Sequence, residues 1–86
     1  MFTKKERPHF YIRMQKDGIW YFLLRVAHDK HQHCMRPVWW PEYMRGMSRP
    51  YLYKTLTMAR NAQDSYVSPL ATQSSVEVWH DGRIQN

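Results

Sequence analysis

The chain has 86 residues, of which 43% are hydrophobic, so we predict one small folded domain (residues 1–86) with a single core and little room for a deep catalytic cleft. No apolar run approaches the ~20 residues that span a bilayer, and the single cysteine excludes an intramolecular disulfide, so we expect a soluble cytoplasmic protein without a membrane partner. The formal net charge is +6.

Basic and aromatic residues are concentrated in the first part of the chain. Residues 1–60 contain twelve of the thirteen Lys and Arg residues, eleven of the thirteen aromatic residues and four of the seven acids, so their formal charge is +8. Cations neutralise phosphates and flat rings stack on bases, so this composition suits a nucleic-acid partner or an acidic protein surface. The alternative is that the aromatic residues fill the core while Lys and Arg keep the protein soluble.

The N-terminal part of the domain is predicted to be a basic arm followed by a β-hairpin. Residues 1–8 form the arm, which includes Lys4 and Lys5. From His9 apolar and polar residues alternate with the period of a half-buried strand. Residues 19–26 are rich in β-forming residues and follow at hairpin distance, which predicts the second strand.

The register of this hairpin depends on its turn. A two-residue turn at Asp17-Gly18 pairs Met14 with Tyr21 and mixes polar and apolar residues on both faces. A three-residue turn over residues 16–18 gives one clean apolar face, so we predict that turn. The predicted pairs are Met14 with Trp20, Ile12 with Phe22, and Phe10 with Leu24. The opposite face is then an aromatic and basic strip made of Tyr11, Arg13, Gln15, Tyr21, Leu23 and Arg25.

A third strand and a short helical turn are predicted next. Residues 28–32 are polar and indicate a loop, and residues 34–40 can form a strand. Pro37 cannot donate a ladder hydrogen bond, so this strand should lie at a sheet edge or break there. Pro41 can open a helical turn that runs to Met44 and stops at Gly46. Residues 51–53 fit either a helical turn or a short strand.

The main helix is predicted over Thr55–Val67, with Thr55 as its N-cap and apolar residues on one face. Residues 70–75 are a loop of small residues, residues 76–79 alternate as a strand, and Asp81-Gly82 is a second turn. The fold class is therefore α+β: an antiparallel sheet of three to four strands packed against one main helix. The predicted core consists of Phe10, Ile12, Met14, Trp20, Phe22, Leu24, Val26, Leu56, Ala59, Ala62, Tyr66, Val76 and Val78.

Two tryptophans are adjacent at positions 39 and 40. On a strand one of them would face the core and the other would face outward as a candidate contact residue beside Arg36. The alternative is that a bulge or helix start places both rings on the core edge. We predict Trp39 as a binding residue.

The densest group of potential metal ligands is His28, His31, His33 and Cys34. Imidazole and thiolate are good zinc ligands, but structural zinc sites take pairs of ligands from separate elements, whereas these residues share one local segment. We predict no metal site there, with these residues as weak candidates in a solvated loop. His33 and Cys34 would also point to opposite faces of a strand, which excludes a local thiol-imidazole dyad.

The sequence contains no phosphate-binding glycine loop, nucleophile elbow or paired carboxylate motif, so we predict a protein that is not an enzyme and has no cofactor. The favoured function is nucleic-acid binding by a basic and aromatic sheet face. The predicted contact residues are Lys4, Lys5, Tyr11, Arg13, Tyr21, Arg25, Arg36 and Trp39. The alternative is a small inhibitor or adaptor, of the kind found in phages and mobile elements, that docks on an acidic surface of a larger host protein.

Overall fold

The structure is a computed structural model that describes residues 8–44, 46 and 48–79. One four-stranded antiparallel sheet, in the order β3-β2-β1-β4, packs with one helix. The predicted α+β fold class is confirmed. The elements are β1 (His9–Lys16), β2 (Ile19–Asp29), β3 (Cys34–Pro41), a 3-10 turn (Glu42–Met44), α1 (Leu56–Tyr66) and β4 (Gln73–Trp79).

The β1–β2 hairpin closes through a two-residue turn, so the predicted three-residue turn is wrong. Met14 pairs with Tyr21 and Arg13 with Phe22. Asp17 and Gly18 have φ angles of 54° and 78°, as a type I′ turn requires, and the twist of this turn matches that of the strands. The turn preference of Asp-Gly therefore outweighs the separation of polar from apolar residues on which the prediction was based.

Because of this register, the sheet buries apolar residues on both faces. On the helix side Ile12 and Leu23 are both 0% exposed and form the central buried cluster with Ala62. Leu23 was predicted on the open strip, and that assignment is wrong. On the other face Phe22 is 2% exposed. It lies beside buried Pro50 in a segment that folds back over this face after β3.

Most of the predicted core is confirmed by burial. Ile12, Met14, Phe22, Ala59 and Ala62 are buried, and Val26, Tyr66 and Val76 pack against the central cluster. Leu56 and Val78 are exposed, contrary to prediction, because Leu56 opens the first turn of α1 and Val78 lies on the edge strand β4. The remaining predicted core residues are half-buried: Phe10, Trp20 and Leu24.

A bulge in β2 makes room for a later segment of the chain. The β2–β3 register shifts between Leu23 and Arg25, so Leu24 has no cross-strand partner on β3. The N–H of Tyr51 donates to the carbonyl of Leu23 at 2.7 Å, and Tyr53 exchanges two backbone hydrogen bonds with Phe10 at 2.8 and 2.9 Å. Residues 51–53 are thus extended chain that is hydrogen-bonded to both β1 and β2, which decides between the two predicted alternatives.

The helix begins and ends close to the predicted positions. Thr55 is the N-cap, and its Oγ1 accepts from the Met58 N–H at 3.1 Å. Gln63 Nε2 donates to Ser74 Oγ at 2.9 Å, which ties α1 to β4. β4 starts at Gln73, three residues earlier than predicted. Within the described residues no helix is long and apolar enough to cross a membrane. The Asp81-Gly82 turn and residues 1–7 of the arm lie outside the described residues.

Candidate nucleic-acid interface

The most exposed part of the sheet is a two-stranded ribbon, residues 24–38, which we call the β2–β3 ribbon. β2 and β3 stay paired from Tyr21↔Pro41 to Asp29↔Cys34. The ladder between β1 and β2 covers residues 13–16 and 19–22 alone, so the ribbon has no third strand in the described part of the sheet. Every residue from Lys30 to Arg36 is exposed. Beyond Ala27 the ribbon therefore presents side chains on both of its faces, whereas Val26 at its base packs against the central buried cluster.

Asp29 organises the turn at the end of the ribbon. Its Oδ1 accepts the N–H groups of His31 at 2.9 Å and Gln32 at 3.2 Å. Its Oδ2 lies 2.9 Å from Arg36 Nε, and Arg36 Nη2 donates to Gln32 Oε1 at 2.7 Å. The turn closes at His33, whose φ of 53° is left-handed. This network fixes Arg36, but the same carboxylate offsets part of its charge.

Two further cations on the ribbon have no ion-pair partner among the described residues, namely Arg25 and Lys30. Both are exposed. Lys30, His31 and Arg36 also line an open depression of about 440 Å³ at the turn. The charge on the ribbon is therefore three cations against the single carboxylate of Asp29.

The candidate metal ligands do not converge. His28, His31, His33 and Cys34 are each exposed, and Cys34 Sγ has Gln32 Oε1 as its contact at 3.9 Å. In the described residues no three His, Cys, Asp or Glu side chains form a group that could hold a metal ion.

Arg13 lies in an electrostatic network on the face opposite the helix. Its guanidinium binds both carboxylate oxygens of Glu42, at 2.5 and 3.0 Å, and lies 4.0 Å from Glu77. It also stacks 4.2 Å above the ring of Trp20. The hydrogen bond to Glu42 raises the pKa of Arg13, while burial opposes this rise more weakly. A phosphate would have to compete with two carboxylates for this side chain.

The predicted aromatic and basic strip does not lie on one face. Tyr11 and Arg13 are on the face opposite the helix, where Tyr11 meets Trp79 edge-on with centroids 5.7 Å apart. Tyr21 pairs with Met14 and thus belongs to the helix side. Arg25 returns to the opposite face because the Leu24 bulge adds one residue. Four of the predicted strip residues, Tyr11, Arg13, Tyr21 and Arg25, are therefore divided between two faces.

The two tryptophans are also on opposite faces. Trp39 packs against the central buried cluster. Trp40 pairs with Phe22 on the other face, and its Nε1 donates to the carbonyl of Met44 at 2.8 Å. One ring therefore faces the core as strand alternation indicates, but that ring is Trp39, the one predicted to contact a partner. The predicted contact residues Lys4 and Lys5 lie outside the described residues.

Lys30 is a ribbon cation that the sequence analysis missed. Residues 28–32 were assigned to a loop, whereas β2 continues to Asp29 and the turn is only four residues long. The sequence feature that could have predicted this tight turn is Asp29, because the short side chain of Asp commonly accepts backbone N–H groups in a turn.

Comparisons of the chain with protein-family models, with curated proteins and with solved structures found no match.

Proposed function

We propose that the protein binds nucleic acid without catalysing a reaction, and that the β2–β3 ribbon is the contacting element. The observation that supports this most is the exposed ribbon that carries Arg25, Lys30 and Arg36 against one acid. Cations on a projecting element can reach successive phosphates of one backbone, and they release condensed counterions when they do so.

The contrast between Arg13 and the ribbon cations supports this placement. Arg13 is a structural cation, because it binds Glu42 and stacks on Trp20. Arg25 and Lys30 are exposed, and in the described part of the structure no carboxylate pairs with them. Their charges are therefore available to a partner at little desolvation cost.

The first expected result is salt-dependent binding. The affinity for short labelled nucleic acid, measured by fluorescence anisotropy, should fall between about 50 and about 200 mM salt. If three phosphates are neutralised, the fall is about 40-fold for duplex DNA, where each contributes about −0.9 to the logarithmic slope, and about 18-fold for a single strand, where each contributes about −0.7. The double variant Arg25→Glu with Lys30→Glu should weaken binding by about 10- to 100-fold. It should also make the salt dependence less steep, with the magnitude of the logarithmic slope smaller by about 2.

A charge-matched control separates the ribbon from net charge. Lys16 ends β1 and pairs with Ile19, the first residue of β2, at the end of that strand far from the ribbon turn. Arg60 is exposed on α1. Lys16→Glu with Arg60→Glu makes the same change in net charge and should retain most of the affinity. Equal loss in both double variants would contradict the role of the ribbon. If the unmodified protein binds no nucleic acid at low salt, the proposal fails, and an acidic protein surface becomes the partner to test.

A further inference from the structure

A groove of about 350 Å³ lies on the helix side of the sheet, where the ribbon leaves the body of the domain. Three parts of the chain form it. The ribbon contributes Val26 and Met35, the extended segment contributes Tyr51 and Tyr53, and α1 contributes Asn61 and Tyr66. The groove is open to solvent, with Tyr51 43% exposed and Met35 49% exposed.

Tyrosine rings form much of the groove, and hydrogen bonds fix the backbone that carries two of them. Tyr53 and Tyr66 pack against the central buried cluster, so they form the inner side of the groove. Tyr51 stands at the rim, with its ring centroid 4.9 Å from that of Tyr53 and the planes tilted by 53°. The hydrogen bonds from Tyr51 to Leu23 and between Tyr53 and Phe10 fix the backbone that carries both rings. The backbone positions of both rings are therefore set before a ligand binds.

Among the residues that the structure describes, the lining has no acidic side chain, and its polar side chains include Asn61. Burial, with smaller contributions from Tyr51 and Tyr66, raises the pKa of Tyr53 to about 12. The Tyr53 phenol is therefore even further from ionising at physiological pH than an ordinary tyrosine, and it does not repel an anion. These properties suit a neutral aromatic group that is attached to a negatively charged backbone.

The groove and the ribbon cations belong to the same two strands. Val26 follows Arg25 on β2, and Met35 precedes Arg36 on β3. Because neighbours on a strand face opposite sides, each strand places an apolar side chain in the groove and a cation on the other face. A backbone that follows the cations around the narrow ribbon would bring its bases to the groove.

We propose that this groove binds an unpaired base of a single-stranded nucleic acid whose phosphates contact the β2–β3 ribbon. This inference rests on the proposed function and specifies its substrate class. A base within a duplex has both faces covered by its neighbours, so only an unpaired base can stack on Tyr51. The polar side chain of Asn61 is available to the edge of the base.

The test compares two probes of equal length and charge: an oligothymidylate and an oligonucleotide whose positions are abasic. The unmodified protein should bind the oligothymidylate more tightly. Tyr51→Ala should weaken that binding by about 5- to 100-fold, the range for loss of one stacked base, and should leave binding to the abasic probe unchanged. Tyr51→Phe keeps the ring and is the matched control, so it should bind both probes as the unmodified protein does.

The test separates a groove that does not bind a base from a ribbon that does not bind nucleic acid. Equal affinity of the unmodified protein for both probes, or tighter binding of a duplex than of the oligothymidylate, would overturn the groove and leave the proposed function standing. No binding at low salt to either probe, to a duplex or to RNA would overturn both. The comparison of probes on the unmodified protein needs no variant, so it decides the matter even where Tyr51→Ala fails to fold.

Discussion

Leu23→Ala is expected to lower the free energy of unfolding by about 2 to 5 kcal/mol, the range for a buried Leu replaced by Ala. Leu23 is 0% exposed and lies in the central cluster with Ile12 and Ala62. Its cross-strand neighbour on β3 is Trp39, which also packs on this cluster. The lost methyl groups would leave a cavity that these neighbours can only partly fill, and urea denaturation followed by tryptophan fluorescence measures the change.

Leu24→Ala is the matched control, because it removes the same atoms one residue away. Leu24 is the half-buried, unpaired residue of the bulge, so its loss should cost less than about 1.5 kcal/mol. The two variants also test the register of the hairpin. The three-residue turn places Leu24 in the core opposite Phe10 and Leu23 on the open face, so the reverse order of destabilisation would contradict the two-residue turn.

The secondary structure could be predicted from local signals. Alternation from His9 located β1, and the cap at Thr55 located α1. Pro37 predicted that β3 lies at a sheet edge or is broken there, and the structure has it unbroken at the edge. Each of these signals acts through a few neighbouring residues. These elements can therefore be predicted without knowing which residues pack against them.

The register could not be predicted because it depends on a contact between distant residues. The prediction assumed that one face of the hairpin is covered, and it selected the turn that made one face apolar. In the structure Pro50 is buried beside Phe22 on the second face. Once both faces are covered, an apolar residue on either one is stable, and the Asp17-Gly18 turn decides the register.

The candidate interface shows the same limit. The sequence identified the arginines of the sheet as potential phosphate contacts, but Arg13 has a partner, Glu42, that is 29 residues away. Arg36 is paired with Asp29 through the tight turn. Nothing near Arg13 in the sequence separates it from Arg25, for which the structure shows no carboxylate partner in its described part.

Arg13→Glu is expected to destabilise the domain by about 2 to 4 kcal/mol, somewhat less than the cost of breaking a fully buried ion pair, because the Arg13 side chain is 25% exposed. The replacement removes two hydrogen bonds to Glu42 and the stacking on Trp20. It also places a third carboxylate beside Glu42 and Glu77, and like charges at this distance repel.

Arg25→Glu is the matched control for that variant, since Arg25 is exposed on the same face of the sheet and has no carboxylate partner in the described residues. Its stability should change by less than about 0.5 kcal/mol, whereas its affinity for nucleic acid should fall. Adding Glu42→Arg to Arg13→Glu restores an opposite-charge pair and should recover part of the lost stability in thermal denaturation. If Arg13→Glu kept full stability and lost nucleic-acid binding, Arg13 would belong to the interface, and the contrast that places binding on the β2–β3 ribbon would not hold.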